Sequence, residues 1–98
     1  MRVISQDGTI DMPYEMSIVW CEDSGAVLLQ PIGEVGEYQT FAKYSTEEKA
    51  KKAMEELRYA YICHSLVKMG QTPPDEIDEK LAMGLSGVFH FPSEEEFE

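Results

Sequence analysis

Two cysteines, Cys21 and Cys63, and two histidines, His64 and His90, are the side chains in this chain best suited to bind a metal or act as nucleophiles. A zinc site made from the four fails on spacing. No CxxC or HxxxH pair occurs. Cys63 and His64 are neighbours on a helix, about 100° apart around its axis, so they do not converge on one ion. The same divergence argues against a thiolate–imidazole nucleophile, which needs hydrogen-bond contact. Cys63 reads as a structural cysteine and His64 as a hydrogen-bonded residue within an apolar stripe. His90 alternates with Phe89 and Phe91 and so faces away from them. The acidic pairs Glu55-Glu56, Asp75-Glu76 and Asp78-Glu79 fall on exposed helix faces. Nothing predicts the cleft that would raise one carboxyl and leave its neighbour ionised. Gly33 and Gly36 match neither a P-loop nor a dinucleotide fingerprint. Trp20 with Tyr38, Phe41 and Tyr44 could stack on a base or ligand, but the net charge argues against nucleic acid and core packing is the heavier reading. No catalytic residue, cofactor or metal ligand is expected.

The chain has 98 residues, 43% of them hydrophobic, and suits one domain. Nineteen acids against eight bases give a net charge of −11. That field disfavours nucleic-acid backbones and acidic membrane surfaces. Lys49, Lys51 and Lys52 cluster, but Glu47, Glu48, Glu55 and Glu56 surround them. The opening MRVISQDG has no apolar leader region, and no apolar run reaches membrane-spanning length. The expectation is a cytosolic protein with reduced thiols.

The element that positions most of these groups is a helix over about 45–69. Ser45 reads as its N-cap with Glu48 at capping-box spacing, and Gly70 as its C-terminal cap. Ala50, Ala53, Met54, Leu57, Tyr61 and His64 form one apolar stripe for packing on a sheet. Ile62, Cys63 and Leu66 point away from that stripe, so something must cover them. Together with Tyr59 they are the candidate interface. A short helix at about 74–83, opened by Thr72 and Pro73-Pro74-Asp75, could fold back on them. The other candidate is a second subunit.

Around the helix, Arg2–Ser5 and Ile10–Tyr14 read as a hairpin turned by Asp7-Gly8 in a two-residue type I′ turn. Ser17–Glu22 and Ala26–Gln30 form a second hairpin across Asp23-Ser24-Gly25. Glu37–Tyr44 alternates as a further antiparallel strand, and Val88–Phe91 closes the sheet before Pro92. The fold class is α+β: one antiparallel sheet of about five or six strands under the long helix, within a domain at 1–92. An acidic tail at 93–98 reads as disordered.

The opening MRVISQDGTIDMPYE, the passage FAKYSTEEKAKKAMEELRYAY and the closing VFHFPSEEEFE cover about half the chain. On these stretches it resembles small uncharacterised proteins of Firmicutes and their prophages and mobile elements. The resemblance implies a bacterial cytosolic setting and supplies no functional residues. The leading expectation is a non-enzymatic protein-interaction or accessory module, its partner another protein or a second copy. The rival is an acidic DNA mimic that inhibits a nucleic-acid-binding enzyme, weakened by the lysines interspersed on the long helix.

Overall fold

The computed structural model describes residues 1–33, 36, 38–69 and 86–97. The short helix expected at 74–83 and the cap at Gly70 lie outside them. The described residues are α+β, with one long helix and six strands. The single antiparallel sheet is corrected: the strands form two sheets of three, ordered β2-β1-β6 and β3-β4-β5.

In the first sheet, β1 (Arg2–Ile4) and β2 (Asp11–Pro13) pair in the expected antiparallel register, Val3 opposite Met12 and Ile4 opposite Asp11. The turn differs from expectation. Gly8 has a φ of 79°, but Asp7 does not have a positive φ, so no type I′ turn forms. Instead the Ser5 N–H donates to the Ile10 carbonyl at 2.8 Å and the Gly8 N–H to the Ser5 carbonyl at 2.9 Å, closing a four-residue loop. The buried Ser5 hydroxyl oxygen explains it. It accepts from the Thr9 and Ile10 N–H groups at 3.1 and 3.0 Å and donates to the Asp7 carboxylate at 2.7 Å. The Ser5 hydroxyl thus replaces one of the two ladder bonds of the Ser5–Ile10 pair.

These contacts make the hairpin acid-sensitive. Hydrogen bonds from Ser5 and then Thr9 lower the Asp7 carboxyl from 3.8 to about 2. A depressed carboxyl adds stability above its unfolded value and loses it as pH falls through its folded value. The urea midpoint should therefore fall between about pH 4 and pH 2, and Asp7→Asn should flatten that fall. Equal acid slopes for the two proteins would refute the assignment.

After β2, the Tyr14 N–H makes a last bond to β1's end, donating to the Met1 carbonyl at 2.8 Å, and a single 3-10 turn, Tyr14–Met16, then redirects the chain. This break keeps β3 (Ser17–Cys21) out of the first sheet. It pairs antiparallel with β4 (Ala26–Pro31), which pairs in turn with β5 (Gln39–Lys43). The expected strict alternation of β5 fails at one point. Val27 lies opposite Ala42 but Leu28 opposite Thr40, so Phe41 is the extra residue of a bulge. Phe41, Ala42 and Tyr44 are consequently all buried.

The helix α1 spans Glu47–Lys68. Its cap is Thr46 rather than Ser45. The Thr46 hydroxyl oxygen accepts from the Lys49 N–H at 3.2 Å, and the Thr46 carbonyl from the Ala50 N–H at 3.3 Å. Ser45 is drawn elsewhere, its N–H donating to the Glu94 carboxylate. The final strand, β6 (Val88–His90), lies beside β1 and runs parallel to it, which a long connection containing a helix permits. Phe89 and Phe91 are buried while Val88 and His90 are exposed, as the alternation implies. Beyond it, Glu94–Phe97 form a 3-10 turn within the segment read as a disordered tail. Phe97 packs edge-on against Tyr44 with centroids 5.5 Å apart, and Glu94 lies 3.5 Å from the Lys49 ammonium.

Both sheets and α1 share one core, in which Val3, Phe89 and Phe91 meet Val27, Leu29, Phe41, Ala53 and Leu57. Gln6 joins the two sheets. Its N–H donates to the Phe41 carbonyl at 2.6 Å, its side-chain oxygen accepts from the Lys43 N–H at 3.0 Å, and its amide donates to the Pro92 carbonyl at 3.1 Å.

Candidate functional site

Among the described residues the two three-stranded sheets have four edges, and three are blunted in ways that discourage further pairing. β2 is three residues long and ends on Pro13. β6 is three residues long and is followed by Phe91-Pro92. β5 carries the bulge and Lys43, and Gln6 bonds to it. β3 differs. Its five residues, SIVWC, contain no charge, proline or glycine.

The ladder to β4 decides which β3 groups face outward. The Glu22 N–H donates to the Ala26 carbonyl at 2.9 Å at one end, and the Ile32 N–H to the Met16 carbonyl at 2.9 Å at the other. Antiparallel pairs alternate between bonded and non-bonded. Ile18 and Trp20 therefore bond to β4, while Val19 and Cys21 turn both their N–H and C=O groups outward. Ser17 turns only its carbonyl outward, because its N–H donates to the Tyr14 carbonyl. Val19 and Cys21 make no further hydrogen bond among the described residues.

This edge forms one wall of a groove whose other wall is the flank of α1. A cavity of about 370 Å³ lies between Ser17 and Val19 on one side and Met54, Leu57, Arg58 and Tyr61 on the other, with Tyr14 and Glu15 at its end. A second, of about 300 Å³, lies between Cys21 and Lys51, Met54, Glu55 and Arg58. Met54 and Arg58 border both, so the two cavities follow one another along β3. Tyr14 and Tyr61 close one end with ring centroids 4.6 Å apart and planes tilted by 42°. Burial pushes the Tyr14 phenol up, with Arg58 pulling against it, so the hydroxyl stays neutral. Lys51 is paired with Glu47 at 2.8 Å. Arg58 is exposed and pairs with no carboxylate among the described residues. The groove thus offers a partly apolar floor, a guanidinium and a row of peptide groups.

The candidate interface read from the sequence lies elsewhere on α1. Tyr59, Ile62 and Leu66 are exposed on the side turned away from the core, and Met69 continues their line at 72% exposure. Cys63 is corrected: it is buried, because its position falls between the outer line and the core stripe, next to Ala60. Met54 and Tyr61, read as core residues, are half-buried on the groove flank. The groove itself was missed. Its one sequence signal is the strand without charge or proline, which reads equally well as a central strand until pairing is known. Among the described residues no cluster of His, Cys, Asp or Glu could hold a metal, and both cysteines are free thiols. His64 lies beside Gly87, while His90 is exposed on β6. No helix among the described residues is long and apolar enough to cross a membrane.

The architecture is that of an α+β domain with a groove between a sheet edge and a helix. Compared with protein-family models, curated proteins and solved structures, the chain matches none.

Proposed function

We propose that this protein is a non-catalytic interaction module that holds a partner protein in the groove between β3 and α1. It would serve as an accessory factor in the bacterial or phage-like setting that the sequence resemblance suggests. The observation that supports this reading is the coincidence, in one groove, of a sheet edge that is unblunted among the described residues, the Met54–Leu57 floor and Arg58, which pairs with no carboxylate among those residues. Charge complementarity favours a partner segment that brings a carboxylate to Arg58, since a charge-assisted bidentate bond there would be specific as well as strong.

Affinity capture from host lysate at low salt, with wild type, Arg58→Glu and Leu66→Asp compared side by side, tests it. Arg58→Glu should reduce recovery of the partner by about tenfold or more, as expected for loss of a charged hydrogen bond plus like-charge repulsion. Leu66→Asp should leave recovery unchanged. Loss with Leu66→Asp alone would move the interface to the back of α1 and sink the groove reading. Recovery of a nucleic-acid-binding enzyme that duplex DNA displaces would replace it with the DNA-mimic reading.

A second copy on the back of α1 is the other reading, favoured by the spacing of exposed Ile62, Leu66 and Met69. Sedimentation equilibrium at high micromolar concentration separates the two. A dimer that Leu66→Asp dissolves would establish the self-contact, and a monomer would remove it.

A further inference from the structure

We infer that the partner enters the groove as an extended peptide segment that adds to β3 as a fourth, antiparallel strand, placing an acidic side chain at Arg58 and a large apolar one beside Tyr14 and Tyr61. The inference rests on the groove being the binding surface and adds how it is used. Strand addition needs a row of unpaired peptide groups, and pockets for alternate side chains set its specificity. Both are present. Val19 and Cys21 turn their N–H and C=O groups outward, two residues apart, at the spacing of successive bonded pairs in an antiparallel ladder.

The same register fixes where the incoming side chains go. Residues directly opposite one another in a ladder put their side chains on the same face. Val19 and Cys21 pack toward the core beneath α1. The peptide residues opposite them therefore point toward the helix flank as well. The one opposite Val19 faces the cavity of about 370 Å³, whose aromatic end and Leu57 suit a leucine or phenylalanine side chain. The one opposite Cys21 faces the cavity of about 300 Å³, where Arg58 and Lys51 stand. Lys51 is already held by Glu47, which leaves Arg58 for the incoming carboxylate. An antiparallel strand passes Cys21 before Val19, so the recognised pattern, read from the amino end, is acidic, any residue, large apolar. The residue between them faces the other side of the sheet, beside Ile18 and Trp20.

The probe is a capped synthetic peptide, Thr-Glu-Val-Phe-Thr-Thr, titrated into the isotope-labelled full chain and followed by NMR. Three controls accompany it: Lys in place of Glu, Ala in place of Phe, and N-methylation of the Glu and Phe amides that bond to β3. Strand addition requires the Val19 and Cys21 amide protons to exchange at least about tenfold more slowly with peptide bound, as newly bonded groups do. N-methylation should weaken binding by about tenfold or more, since two peptide groups on β3 lose their donors. Arg58→Glu should prefer the Lys peptide to the Glu peptide, a charge swap that a merely unfolded variant could not produce.

Shifts in the groove with no protection at Val19 and Cys21, or equal binding of the methylated peptide, overturn strand addition and leave the groove as the interaction surface. No shift in the groove with either peptide charge at millimolar concentration overturns both. Protection of Val19 and Cys21 that rises with protein concentration in the absence of peptide overturns the inference in favour of edge-to-edge pairing of two copies.

Discussion

Replacing Gly25 by alanine is expected to lower the stability of this domain by about 3–5 kcal/mol, read as a fall in the urea midpoint. Gly25 closes the β3–β4 hairpin. Its N–H donates to the Glu22 carbonyl at 2.9 Å, and its own carbonyl accepts from the Tyr44 N–H at 2.9 Å. Two effects combine. Its φ is 91°, a conformation that side chains with a Cβ adopt at a cost of about 1–3 kcal/mol. A Cβ there would also stand 2.2 Å from the Tyr44 carbonyl oxygen and 3.0 Å from that of Thr46. Both are backbone atoms, and Thr46 caps α1, so relief by movement would displace the start of the helix. A loss under about 1 kcal/mol would show that the hairpin can retreat from β5 without consequence.

Phe91→Ala is expected to cost a similar amount, about 3–5 kcal/mol, the range for deleting a buried phenylalanine. Phe91 is 1% exposed and stands where the two sheets meet. Its ring packs edge-on against Phe41 of the second sheet at 6.3 Å and against Phe89 of the first at 5.2 Å. The ring is therefore a joint between sheets that share no strand. For a domain of this size each kcal/mol lowers Tm by about 4–8 °C, so the variant should melt at least about 12 °C lower. Phe91→Leu keeps most of the volume and should lose less than half as much. Equal losses for the two variants would mean that shape, rather than buried volume, sets the contribution at this position.

Local features were legible in the sequence. The β1–β2 register followed from centring the hairpin on Asp7-Gly8, and the structure keeps Val3 opposite Met12. The turn type did not follow, because a dipeptide rule ignores what Ser5 can do with its hydroxyl four and five residues away. The helix was legible because its apolar stripe repeats over many residues. Its start was displaced by one residue, since Ser45 and Thr46 are equivalent as caps until Glu94 arrives from the other end of the chain to take the Ser45 N–H. The bulge at Phe41 was invisible for a similar reason: an extra residue in one strand is defined only against its partner. Cys63 shows the limit of helical periodicity, which places a residue around an axis without saying how far the neighbouring layer reaches.

The sequence by itself determined the α+β class, the long helix, both hairpins and the inward phenylalanines of the last strand. These depend on hydrophobic period and turn chemistry, both written over a few neighbouring residues. Only the tertiary structure decided that, among the described residues, six strands divide into two sheets, that β6 joins β1 in parallel, and that β3 is left as an edge beside Arg58. Strand order depends on contacts between residues far apart in the chain, and SIVWC carries the same run of apolar residues whether it has one neighbour or two. The candidate groove exists because β3 has one among the described residues.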